Sequence, residues 1–77
     1  MSILRVQVII EQDEDGLFVA DVPAFRGCHT QGRTFEEAIE NIKEVIAICV
    51  EELRQEGKPI EAAYPEVIGI KSLEIPV

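Results

Sequence analysis

The stretch between Thr34 and Gly57 constrains this chain more than any other, because only one backbone conformation satisfies its pattern. Ala38, Ile39, Ile42, Val45, Ile46, Cys49, Val50 and Leu53 recur at three- and four-residue steps, which aligns them along one side of a helix of about 20 residues, roughly 30 Å long. Thr34-Phe35-Glu36-Glu37 marks its start: the threonine hydroxyl can accept from the Glu37 amide while the Glu37 carboxylate reaches back to the Thr34 amide. Gly57 supplies the residue that turns left-handed past the last turn, and Pro59 blocks continuation. Glu40, Lys43, Glu44, Glu51 and Glu52 fall mostly off the stripe, with Glu40 and Lys43 spaced to pair on the surface. Ile48 sits beside the stripe and either widens the buried face, the expected outcome, or marks a contact with another chain. A helix this one-sided needs a second layer.

The segments around it supply that layer. Leu4, Val6, Val8 and Ile10 alternate with Arg5, Gln7 and Glu11, the period-two pattern of a half-buried strand. Asp13-Glu14-Asp15-Gly16 then closes a hairpin onto Leu17–Val22, the glycine taking the positive φ that the turn requires. Pro23 ends that strand, and Gly27 and Gly32 bracket a third extended piece, Cys28–Gln31. Beyond a linker from Lys58 to Pro65, Glu66–Ile75 reads as a final strand whose apolar parity slips between Ile70 and Leu73, as a bulge near Lys71-Ser72 would allow. The expected fold is α+β: a single domain over residues 1–77, two layers in the order β-β-β-α-β, a mainly antiparallel sheet with the helix on one face.

Charge and composition restrict what such a domain does. Seven Lys and Arg against 15 Asp and Glu leave a net charge of −8, a field that repels phosphate backbones and suits a basic protein partner. Direct nucleic-acid binding is not expected. No run approaches the roughly 20 apolar residues needed to span a bilayer, and the N-terminus lacks a signal-peptide pattern, so a cytoplasmic protein is expected. The two cysteines then read as reduced thiols, although a Cys28–Cys49 disulfide stays open on sequence alone. With 77 residues and no metal or disulfide support, self-association into a dimer or tetramer is the expected source of extra stability.

Catalysis finds little footing. His29 is adjacent to Cys28, and neighbours on a strand point to opposite faces, so a thiolate-generating dyad would need a distorted backbone. Glu11–Gly16 echoes the start of a calcium loop, yet the twelfth position is Val22 where a bidentate glutamate is needed. Asp13, Asp15 and Asp21 offer paired carboxylates but no cleft walls to desolvate them. There is no phosphate loop, dinucleotide fingerprint or Ser-His-Asp set. Neither cofactor nor metal is expected, and the chain reads as a non-enzyme.

Taken in order, Glu11–Ala20, Pro23-Ala24-Phe25-Arg26-Gly27-Cys28-His29-Thr30-Gln31-Gly32, Thr34–Ala38 and Glu40-Asn41 closely resemble the HicB-like antitoxin family, from about Val8 to Pro59. The family's corner runs Pro-x-x-Pro-Gly-Cys, and Arg26 stands here in place of the second proline. The resemblance implies a degenerate ribonuclease-H-like domain without nuclease activity that covers the active site of a small basic RNA-cleaving toxin of the HicA type. Family members often carry a C-terminal DNA-binding domain. Only one strand's worth of residues follows Pro59 here, so autorepression by this polypeptide alone is not expected.

Charge and resemblance together suggest steric inhibition. An acidic face steers the domain onto a basic ribonuclease, and apolar contacts then set the lifetime of the complex. The candidate contacts are Asp13, Glu14 and Asp15 at the hairpin turn and Phe25 and Arg26 at the corner. One alternative is a stand-alone module that self-assembles without a toxin through Ile3, Ile9 and Ile48. The other is a small-molecule binder or minor enzyme using Cys28 and His29.

Overall fold

The computed structural model describes residues 3–77. Among them three short strands precede one long helix: β1 (Ile9–Gln12), β2 (Phe18–Asp21), β3 (His29–Gly32) and α1 (Phe35–Gln55). The strands pair antiparallel in the order β1-β2-β3. Ile10, Ala20 and Thr30 stand opposite one another across the sheet, as do Glu11, Val19 and Gln31. Directly opposed residues share a face, so the first trio marks the core side and the second the outer side. α1 packs on the core side, against β3 and β2. The α+β arrangement of an antiparallel sheet with one helix on one face is thus observed.

Local chemistry accounts for the helix ends. The Glu37 amide donates to the Thr34 hydroxyl at 3.0 Å, as the Thr-x-x-Glu spacing predicts. The Glu37 carboxylate returns to the Arg33 amide at 3.2 Å instead of the Thr34 amide, which closes the box one residue early. At the far end Gly57 adopts φ +69°, Gly57 N–H donates to the Arg54 carbonyl at 3.1 Å and Lys58 N–H to that of Leu53 at 2.9 Å. These two bonds satisfy carbonyls that a helix end otherwise leaves unpaired. Glu40 and Lys43 pair at 3.1 Å on the exposed surface.

The core holds Ala20, Val22, Phe25, Cys28, Ala38 and Ile42, with Val6, Val8 and Ile10 from the sheet side and Val45, Cys49 and Leu53 from the helix packed around them. Gly32 sets how closely the two layers approach: a Cβ there would lie 2.5 Å from the Ala38 nitrogen, a distance no side chain tolerates. The Asn41 amide adds a 2.8 Å bond to the Gln31 carbonyl, tying α1 to the edge strand β3.

Three sequence expectations are corrected. β1 begins at Ile9 and not at Leu4, because the Val22 amide donates to the Cys28 carbonyl at 2.9 Å and Pro23 has no amide, so nothing stands ready to pair with the residues before Ile9. Ile48 is 59% exposed; it does not widen the buried face. The final strand expected at Glu66–Ile75 does not form. Residues 58–77 carry no helix or strand, with Ile68 93% and Ile70 86% exposed, because strand conformation needs a ladder partner and none is in place. The segment is held instead at Val67, whose amide donates to Gln7 Oε1 at 2.7 Å and whose carbonyl accepts from Gln7 Nε2 at 3.2 Å. Among the described residues no helix is long and apolar enough to cross a membrane.

Candidate partner-binding surface

The hairpin turn does not use its three carboxylates alike. Gly16 takes φ +86° and its N–H donates to the Asp13 carbonyl at 3.0 Å. Asp13 Oδ1 accepts from the Asp15 amide at 3.0 Å and from the Leu17 amide at 2.9 Å, the local bonding by which an aspartate mimics a turn of backbone. The Asp13 carboxylate therefore serves its own turn. Glu14 and Asp15 are exposed, with no ion-pair partner among the described residues.

At the corner, Phe25 and Arg26 part company. Phe25 is 8% exposed and belongs to the core, its amide bonded to the Val22 carbonyl at 3.1 Å and its carbonyl to the Cys28 amide at 3.3 Å. The sequence reading places it on the surface because a single aromatic in a short loop between Pro23 and Gly27 carries no periodicity to say which way it points. Arg26 is exposed. It lines a hollow of about 350 Å³ with Cys49, Glu52, Leu53 and Glu56, near the C-terminal end of α1. The turn and the corner lie at opposite ends of β2, separated by roughly 13 Å of strand. The fold does not bring the two candidate patches together.

Between them runs the sheet face turned away from α1. Ile9, Asp21 and His29 form one row on it, and Glu11, Val19 and Gln31 the next. Ile9 and Val19 give it a half-buried apolar middle, and the exposed Glu11 adds charge. Val19 and Glu11 were absent from the sequence-derived site. Their signal was the parity of the strands, since an apolar residue out of phase with Phe18, Ala20 and Val22 must point away from the core.

The sequence description "HicB_like antitoxin of bacterial toxin-antitoxin system" matches residues 6–72. The chain belongs to this HicB-like antitoxin family. It is 40% identical over 68 residues to the UPF0150 protein ssr1258 of Synechocystis sp., covering 88% of this chain and 90% of that one. It is 43% identical over 67 residues to the UPF0150 protein Ta0767 of Thermoplasma acidophilum, covering 87% and 97%. A UPF0150 protein of Archaeoglobus fulgidus is 36% identical over 72 residues, covering 94% and 96%. Membership in an antitoxin family implies a toxin partner of some kind and suggests a protein that acts by binding rather than by catalysis.

The thiols of this HicB-like chain fit that description. Cys28 is fully buried on the core side, while His29 is exposed on the outer side, level with Asp21. Alternation along β3 has separated the two groups a dyad would need to join. Burial pushes the Cys28 thiol up to about 12, and a hydrogen bond with Cys49 together with the charges of Cys49 and Asp21 acts in the same direction. Cys28 is therefore a protonated, packed thiol at neutral pH, and the thiolate is the form that reacts. Cys28 and Cys49 are both free. Among the described residues no three His, Cys, Asp or Glu side chains converge to hold a metal ion.

Proposed function

We propose that this chain is the antitoxin of a HicA/HicB-type pair and silences a small basic RNA-cleaving toxin by covering its RNA-binding surface. The observation that carries the reading is the antitoxin-family match along residues 6–72, and the net charge of −8 supports a cationic partner. The surface we assign to the toxin is the outer sheet face. Ile9 and Val19 supply the apolar centre, Glu11 and Asp21 the charge beside it, Glu14 and Asp15 the acidic rim at the turn, and Arg26 the opposite end. Phe25 supports the corner from beneath. Inhibition needs no chemistry from this chain, only that a bound domain excludes the phosphate backbone from the cationic groups that would hold it.

The reading is tested by co-expressing the chain with the product of the adjacent gene, followed by pull-down and an RNA-cleavage assay with and without the antitoxin. A stable complex and loss of cleavage are expected. The pair Glu14→Lys and Asp15→Lys, which leaves Asp13 to its turn, should slow association several-fold at low salt and flatten its salt dependence. Val19→Asp should weaken the complex at least tenfold, mainly through faster dissociation. A neighbouring product that neither co-purifies nor has its RNA cleavage suppressed overturns the proposal.

A further inference from the structure

The thiols of Cys28 and Cys49 play no role in masking a toxin, yet the fold brings them together from opposite layers. Two contacts fix how α1 lies along β3: a Cβ at Gly32 would meet the Ala38 backbone, and the Asn41 amide bonds the Gln31 carbonyl at 2.8 Å. From Gln31 back to Cys28 is roughly 10 Å of strand, and from Asn41 on to Cys49 roughly 12 Å of helix. The two cysteines are therefore level. About three turns separate Ala38 from Cys49, which returns it to the side of α1 on which Ala38 and Ile42 are buried. Cys28 belongs to the buried core, Cys49 packs against that core, and the Cys28 thiol donates a hydrogen bond to Cys49.

Their surroundings differ in the respect that matters for chemistry. Cys28 is fully enclosed, whereas Cys49 is only partly buried and lines the hollow of about 350 Å³ beside Phe25, Arg26 and Leu53. One thiol is reachable and the other stands behind it. Glu52, Glu56 and Glu61 line the same hollow, with Arg26 and, through its 2.9 Å bond to Glu56, Lys58 to set against them. Negative charge is left in excess, which repels an anionic oxidant and admits a small uncharged one.

We propose that Cys28 and Cys49 form an oxidisable site whose substrate is hydrogen peroxide and whose product is an internal disulfide. The Cys49 sulfur attacks one peroxide oxygen, the O–O bond breaks, and the departing hydroxide leaves as water with the Cys49 proton. Cys49 is then a sulfenic acid. The Cys28 sulfur attacks the Cys49 sulfur, the S–O bond breaks as the S–S bond forms, and a second water carries away the Cys28 proton. Two electrons pass from the thiol pair to the peroxide, which ends as two waters. Access and acidity set the order. Burial, then the hydrogen bond and charge of Cys49, then the charge of Asp21 hold the Cys28 thiol up at about 12, so it does not react first. Once Cys49 is oxidised, an electrophilic sulfur already stands beside Cys28, and proximity supplies what its acidity lacks. The bridge ties the corner that bears Arg26 to the second half of α1.

The experiment uses the full folded chain alone, without any toxin, so its outcome is independent of the proposed function. After exposure to millimolar hydrogen peroxide, tryptic digestion without reductant should yield a peptide pair joined Cys28 to Cys49, and dithiothreitol should separate it. The bridged chain should melt on the order of 10 °C above the reduced one. Cys28→Ser should stop at a Cys49 sulfenic acid, captured by dimedone, while Cys49→Ser should leave Cys28 unmodified over the same time. Copies linked to one another through Cys49, a Cys49 that goes on to the sulfinic acid beside a free Cys28, two thiols that stay reduced, or a bridged chain no more stable than the reduced one each overturns the proposal. The peptide map of the unaltered chain needs no variant to fold.

Discussion

Leu17–Val22 and Glu66–Ile75 are both apolar-rich segments that read as strands, yet the first forms the centre of the sheet and the second lies along the outside. Ala20 and Val22 are buried within 1%, whereas Ile68 and Ile70 are almost wholly exposed. Hydropathy does not separate them; neighbours do. Leu17–Val22 has a hairpin partner a few residues upstream, held by Asp13 and Gly16, and a third strand a tight corner downstream. Loop closure over such short spans costs little entropy. The last segment comes after a 21-residue helix and a linker, and meets Gln7 where a strand would start. A strand-forming sequence becomes a strand only where an edge is within reach.

Isoleucine deletions should break this contrast open most widely. Ile42→Ala removes a side chain that is 1% exposed and should cost about 2–5 kcal/mol in urea unfolding. Ile70→Ala, at a side chain that is 86% exposed, should stay within about 0.5 kcal/mol of the parent. Equal losses would mean that residues 66–77 pack on the rest of the chain. A pair of glycines sharpens the point. Gly32→Ala forces a Cβ against the Ala38 backbone and should destabilise by about 1–3 kcal/mol, while Gly69→Ala meets nothing within 4 Å and should be neutral or slightly stabilising. The smallest effect is expected at the hinge between the two regions. Gln7→Ala removes both bonds to Val67 and should speed hydrogen exchange of the Val67 amide roughly fivefold, the equivalent of about 1 kcal/mol, leaving the global unfolding midpoint in place.

Legibility followed the range of the interactions involved. The Asp-Gly hairpin, the Thr34 cap and the Gly57 stop were all readable because each is decided by residues within five positions of one another. The Cys28–His29 separation was readable from strand parity. Phe25 was misplaced because its direction depends on how the corner folds under itself. Asp13 was grouped with Glu14 and Asp15 by charge, when its carboxylate is consumed by two backbone amides. The two ends of the candidate site lie close together in sequence, and β2 holds them apart.

Sequence alone therefore determined the elements and the ends of this chain's helix and hairpin, together with its acidic character and its HicB-like kinship, since these depend on local stereochemistry and residue identity. Only the tertiary structure decided which face of the sheet stays open, that Phe25 supports the corner instead of presenting it, and that the last apolar run is left without a partner. Those outcomes turn on which surfaces meet across the fold, and side chains far apart in sequence, such as Gln7 and Val67, decide them through contacts that no local pattern encodes.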